Sequence, residues 1–164
     1  MRFFLTVAAI GVVYASMAPM AHAELGGKAA TVDADGVRLH ARLRRSATAA
    51  AGVTQHDLTL GDGTVTRQFT NSAGVVFAVS WNGPMRPDLR QLFGGYYSRL
   101  QSAAARTARL HARAAFTAND SDFVVRSGGH PGAFWGYAVL PDRMPAGFDA
   151  SRLVGQPETE VLGR

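Results

Sequence analysis

Residues 54–81 read TQHDLTL-GDG-TVTRQFT-NSAG-VVFAVSW. Three runs rich in Thr, Val and aromatic residues are separated by two short clusters of Gly, Asp, Asn and Ser. Such residues reverse a chain over hairpin lengths, while β-branched and aromatic side chains favour extended backbone. Thr54–Leu60, Thr64–Thr70 and Val75–Trp81 are therefore expected to form an antiparallel meander. Alternation puts Leu58 with Leu60, Val65 with Phe69, and Val75, Phe77, Val79 and Trp81 each on a shared face. One face of the meander is expected to be buried.

Downstream, Asn82-Gly83-Pro84 closes the meander and Pro87-Asp88 opens a helix expected to run to about Ala115. At about 100° per residue, Leu89, Leu92, Tyr96, Leu100, Thr107 and Leu110 fall in one broad arc, extended by Phe93 and Ala104. Gly94-Gly95 interrupts it. Phe123–Ser127 and Phe134–Leu140 are expected as two further strands around the loop Ser127-Gly128-Gly129-His130-Pro131-Gly132. Upstream, Val32–Arg45 reads as a weak helix, with Thr31 as N-cap, early Asp33 and Asp35, and late Arg42, Arg44 and Arg45. Residues 24–31 read as a loose leader and 46–52 as a linker. The expected fold is α+β: an antiparallel sheet of about five strands, one long amphipathic helix on a face and a weaker N-terminal helix.

The first 23 residues carry a different pattern. Arg2 precedes the apolar run Phe3–Val13, and Ala21-His22-Ala23 offers the small-x-small arrangement that a signal peptidase reads. The run is too short for a membrane span of about 20 residues. The expected organisation is a signal peptide over 1–23, one domain over 24–148 and a flexible tail over 149–164. Export, with residence in the periplasm or outside the cell and no transmembrane span after cleavage, follows from it.

There is no cysteine among the 164 residues, which excludes disulfides, thiolate zinc sites and thiol nucleophiles. Net charge is +5, and Lys28 is the only lysine. Losing Arg2 leaves 5 − 1 = +4, a value ordinary for a small domain.

Two blocks carry a family resemblance. The first is Gly74-Val75-Val76-Phe77-Ala78-Val79-Ser80-Trp81 with Gly83-Pro84 and Pro87-Asp88-Leu89. The second is Ser127-Gly128-Gly129-His130 with Phe134, Gly136 and the Leu140-Pro141 exit. Together, over nearly all of the mature chain, they resemble a family of short exported proteobacterial proteins known as domain of unknown function 2844. The resemblance implies export from a Gram-negative cell and carries over no activity, ligand or catalytic residue.

Three constellations could carry chemistry. In the 127–132 loop, Gly128 and Gly129 could turn backbone N–H groups toward a ligand, with His130 and Trp135 beside them as binding residues. A hydrolase built there would use Ser127 as nucleophile, His130 as base and Asp122 as the orienting acid, with Asp120 close by. Triad members usually come from separate elements, and no G-x-S-x-G elbow is present. Second, Arg99, Arg106 and Arg113 recur every seven residues with Arg109 one turn away, on one side of the long helix. That stripe suits an anionic partner such as phosphate, lipopolysaccharide, acidic polysaccharide or nucleic acid. Third, His40, His56, His111 and His130 lie on separate elements without metal-ligand spacing, so edge and surface positions account for them and no metal or cofactor is expected.

The reading reached is a non-enzymatic binding or accessory module of the bacterial envelope, with an envelope protein or a glycan as partner and an anionic polymer less favoured. The alternatives are a hydrolase-like enzyme around His130, and an anionic-surface or self-associating structural component.

Overall fold

The computed structural model describes residues 24–38, 40–48, 52–108 and 116–153. Their centre is a seven-stranded antiparallel sheet, so the α+β class holds with two more strands than expected. The strands are β1 (Arg42–Ala47), β2 (Thr54–Thr59), β3 (Val65–Thr70), β4 (Val76–Gly83), β5 (Phe116–Asn119), β6 (Val124–His130) and β7 (Ala133–Val139), in spatial order β1-β2-β3-β4-β7-β6-β5. The chain thus winds inward to β4, crosses to the far edge, and winds back until β7 pairs with β4.

The expected Val32–Arg45 helix is corrected to α1 (Val32–Arg38) followed by β1. The stop lies in the backbone. His40 adopts φ 49, its N–H donates to the Val37 carbonyl, and the Ala41 N–H donates to the Gly36 carbonyl. This paired closure around a left-handed residue ends a helix firmly. The arginines beyond it then alternate on a strand instead of trailing a helix.

The long helix is broken where the glycines stand. Asp88 caps α2 (Leu89–Phe93) by accepting from the Arg90 and Gln91 N–H groups, a 3-10 turn spans Gly94–Tyr96, and α3 runs over Tyr97–Ala108. Gly94 has φ 48, and the Glu24 side chain stands where a Cβ would project, so both backbone and packing demand glycine. The part of the expected helix at 109–115 lies outside the described residues.

β4 is buried on both faces through Trp81, so the expectation of a single buried face is corrected. The register also shifts between Phe69 and Thr70: Phe69 faces Ala78 but Thr70 faces Val76. This bulge separates Phe77 from its expected companions. Val76, Val79 and Trp81 join the core beneath the helices, with Leu58, Leu92, Phe93, Leu100, Phe123 and Val125. Phe77 joins a second core on the other face with Phe69, Val139, Phe148 and Leu153. There Phe148 meets Phe69 and Phe77 edge-on, with ring centroids 5.4 and 4.9 Å apart.

Both ends of the described chain are packed more tightly than their sequence suggests. Residues 24–31 are no loose leader: Leu25 is buried, its N–H donates to Leu92, and residues 26–29 exchange backbone hydrogen bonds with Gly74 and Val76. Similarly, the expected tail from 149 begins with a 3-10 turn, Ala150–Leu153, whose Leu153 is 1% exposed. Residues 154–164 lie outside the described part.

At the sheet centre the Trp81 indole lies over Gly136, its ring carbons occupying the space of a β-carbon there, and it meets Phe93 edge-on at 5.8 Å. Trp81 is 3% exposed and held from both sides, so it has nowhere to swing. Gly136→Ala is expected to destabilise the fold by about 1–3 kcal/mol through overpacking. Urea unfolding followed by tryptophan fluorescence measures it.

Candidate functional site: the hairpin cleft

β6 and β7 are joined by a two-residue turn, Pro131-Gly132, with His130 paired to Ala133. Proline presets its own φ, and Gly132 takes φ 91, which side chains disfavour. The Gly132 N–H donates to the Pro84 carbonyl at 3.2 Å and ties the hairpin tip to the exit of β4. Between them opens a cleft of about 390 Å³ lined by Asn82, Gly83, Pro84, Gly132, Ala133, Phe134 and Trp135. Trp135 is 37% exposed at its edge. Phe134 lies under the Arg86 guanidinium, 4.8 Å from ring centroid to carbon, and Asn82 accepts from Arg67 at 3.0 Å.

The structure separates the residues of the hydrolase reading. Alternation along β6 puts Ser127 on the helix side, in register with Gly136, and His130 on the opposite face. Asp122 precedes the other end of β6, eight residues and roughly 25 Å of strand from His130. The exposed His130 donates from Nδ1 to the carbonyl of Pro131 at 3.0 Å. Gly128 pairs with Trp135 and Gly129 with Phe134, so the four binding candidates of the loop do share one hairpin. Gly129 lacks room for a Cβ against the Ala133 backbone, which explains its glycine without a ligand.

The arginine stripe is corrected in its first member. Arg99 donates to Asp122 at 2.8 and 2.7 Å and to Asp120 at 3.0 Å, and lies over the Phe123 ring at 5.2 Å. It is paired with carboxylates and staples α3 to the turn before β6. These hydrogen bonds hold the Asp122 carboxyl below its usual range and raise Arg99 above its own. Arg106 lies in the last turn of α3, and Arg109 and Arg113 fall outside the described residues.

His56 departs from the expectation of a surface or edge histidine. It is 4% exposed, its Nε2 lies 3.1 Å from the Thr70 hydroxyl, and its Nδ1 has no partner among the described residues. Burial, and then the nearby Arg45 charge, push its pKa down. The sequence hid this because a histidine beside Asp57 in an alternating run reads as readily outward as inward. No cluster of three or more His, Asp or Glu side chains suits a metal among the described residues. Nor does any described helix have the length and apolarity to cross a membrane.

With the geometry in hand, comparison with known families gives one answer. The family "Protein of unknown function (DUF2844)" matches residues 21–153. The chain belongs to DUF2844. No curated protein and no solved structure matches it. The DUF2844 match ends at Leu153, the last residue of the second core.

Sequence reasoning missed Asn82, Gly83 and Pro84 as cleft walls, since they read only as a turn. It also missed a set of arginines on the sheet, because the stretch that forms β1 reads as the end of a helix.

Two outcomes follow. Because the folded-state pKa of His56 lies below 6.5, the unfolded chain takes up a proton first as pH falls. Stability should therefore drop from near pH 6.5 downward, and His56→Gln should flatten that part of a melting-temperature profile. In the second case, Arg99→Gln should move the Asp122 carboxyl back up toward its ordinary value, as read by carboxyl-carbon NMR titration. An unmoved titration would mean that Arg99 does not hold Asp122 in solution.

Proposed function

We propose that this DUF2844 protein is an exported, non-enzymatic binding module, and that the hairpin cleft is its recognition surface. The observation that carries the reading is Trp135: a large aromatic side chain left 37% exposed at the edge of a formed cleft. Burying an indole is favourable, and an aromatic side chain beside largely apolar walls that carry Asn82 as their polar side chain suits a sugar ring or a partner's side chain. The cleft is held by backbone on both sides, so little ordering is needed on binding. Against catalysis stands the separation of Ser127, His130 and Asp122, of which Asp122 is already committed to Arg99.

Export is supported by the charge, apolar-run and small-x-small order of residues 2–23. The described core starts at Leu25, just past that junction. The partner class is an envelope protein or glycan.

The test is capture from a cell-envelope extract by the purified chain, beside Trp135→Ala and His130→Ala. Captured species are identified by mass spectrometry and sugar analysis. Specific capture that falls at least about tenfold, or about 1.4 kcal/mol, in Trp135→Ala is the expected result. Capture indifferent to Trp135 would overturn the cleft as the recognition surface.

A further inference from the structure

The two faces of the sheet are covered unequally. Among the described residues, α1, α2 and α3 pack on one, whereas on the other the segment carrying Phe148 and Leu153 covers only the end at Phe69, Phe77 and Val139. Register identifies what the rest of that second face presents. One row crosses the strands as Arg126, Tyr137, Ser80, Arg67, Asp57 and Arg44. The next runs Trp135, Asn82, Val65, Thr59 and Arg42.

Arg42, Arg44 and Arg126 are exposed and have no carboxylate partner among the described residues. Arg67 is half-buried, 3.6 Å from Asp57, the one acidic residue in the two rows, and donates to Asn82 in the cleft wall. At about 4.8 Å per strand, Arg126 and Arg67 stand roughly 14 Å apart, and Arg67 and Arg44 roughly 10 Å. The Ser80 hydroxyl between Tyr137 and Arg67 is buried without a partner among the described residues. Four cations against one carboxylate thus form a track across the sheet, and it begins beside Trp135.

We infer that this face binds an acidic polysaccharide, laid across the strands with one sugar ring on Trp135 and its carboxylates on Arg126, Arg67, Arg44 and Arg42. The inference rests on the cleft as recognition surface and names its ligand class. Charge complementarity selects a polyanion, and the planar guanidinium fork matches a carboxylate through two parallel hydrogen bonds. Single-stranded nucleic acid would call for a series of open aromatic faces for successive bases. The track offers one exposed ring, since Tyr137 is half-buried against the second core. One stacking ring followed by separated cations fits a chain of sugars with intermittent charge.

The experiment titrates the purified chain with polygalacturonate, with neutral dextran and with a thymidine oligonucleotide. Trp135 serves as the fluorescent reporter, because Trp81, the other tryptophan, is buried. Polygalacturonate is expected to bind, to weaken steadily with added salt, and to lose at least about tenfold in affinity in Arg44→Gln/Arg126→Gln. The charge-matched Arg90→Gln/Arg143→Gln, whose sites lie off this face, is expected to bind as the parent does. Equal loss in both double variants would reduce the effect to net charge and overturn the track. Tighter binding of the oligonucleotide would overturn the glycan assignment. Dextran bound as well as polygalacturonate, with Trp135→Ala abolishing the binding of both as followed by calorimetry, would leave the cleft standing and sink the acidic ligand. Arginine-dependent binding of polygalacturonate that survives Trp135→Ala, followed then by calorimetry, would keep the track and remove the cleft.

Discussion

The rest of this fold depends on the packing of Trp81 over Gly136. β4 and β7 are the central pair, and a strand buried on both faces must place a large ring where its neighbour leaves room. Gly136 leaves that room on the helix side. The indole then meets Phe93, Phe93 meets Phe123 at 6.1 Å, and Phe123 stacks on Tyr96 at 5.4 Å. This run of rings sets α2 and α3 against the sheet, and with them the helix-covered face.

With the helices committed to one side, the opposite face is covered, among the described residues, only where Phe148 and Leu153 reach it. The bulge near Thr70 turns Phe77 toward them, so the second core gathers at that end of β4. At the other end lie the cleft, Trp135 and the sheet arginines. A cleft and a charged track on a rigid sheet suit a binding surface, since little need reorganise when a ligand settles. The carboxylates Asp120 and Asp122, which the sequence places close to His130, are instead held by Arg99.

Much of the candidate site was legible. Pro131-Gly132 and the paired glycines marked a hairpin, and Trp135 stood out as the large aromatic residue beside that glycine loop. Ser127 and His130 looked close because sequence distance ignores the alternation of a strand, which sends residues three apart to opposite faces. Arg42 and Arg44 were hidden for a different reason. Charges after a capped segment fit the end of a helix, and only the left-handed turn at His40 shows that the helix has stopped. Leu25 and Leu153 gave no periodic signal, because each is an isolated anchor in an irregular segment.

The sequence by itself determined the α+β class, the β2–β3–β4 meander, the Asp88 cap, the break at Gly94 and the β6–β7 hairpin. Each of these is set by residues close together in the chain, through turn chemistry, capping and side-chain period. Tertiary structure alone decided that β7 joins β4, that residues 24–29 complete the edge of β4, and that Arg99 belongs to Asp122. It also decided which arginines share an open face. Those outcomes depend on contacts between distant segments, where the winning arrangement is the one that fills space and pairs polar groups. No local pattern records that choice.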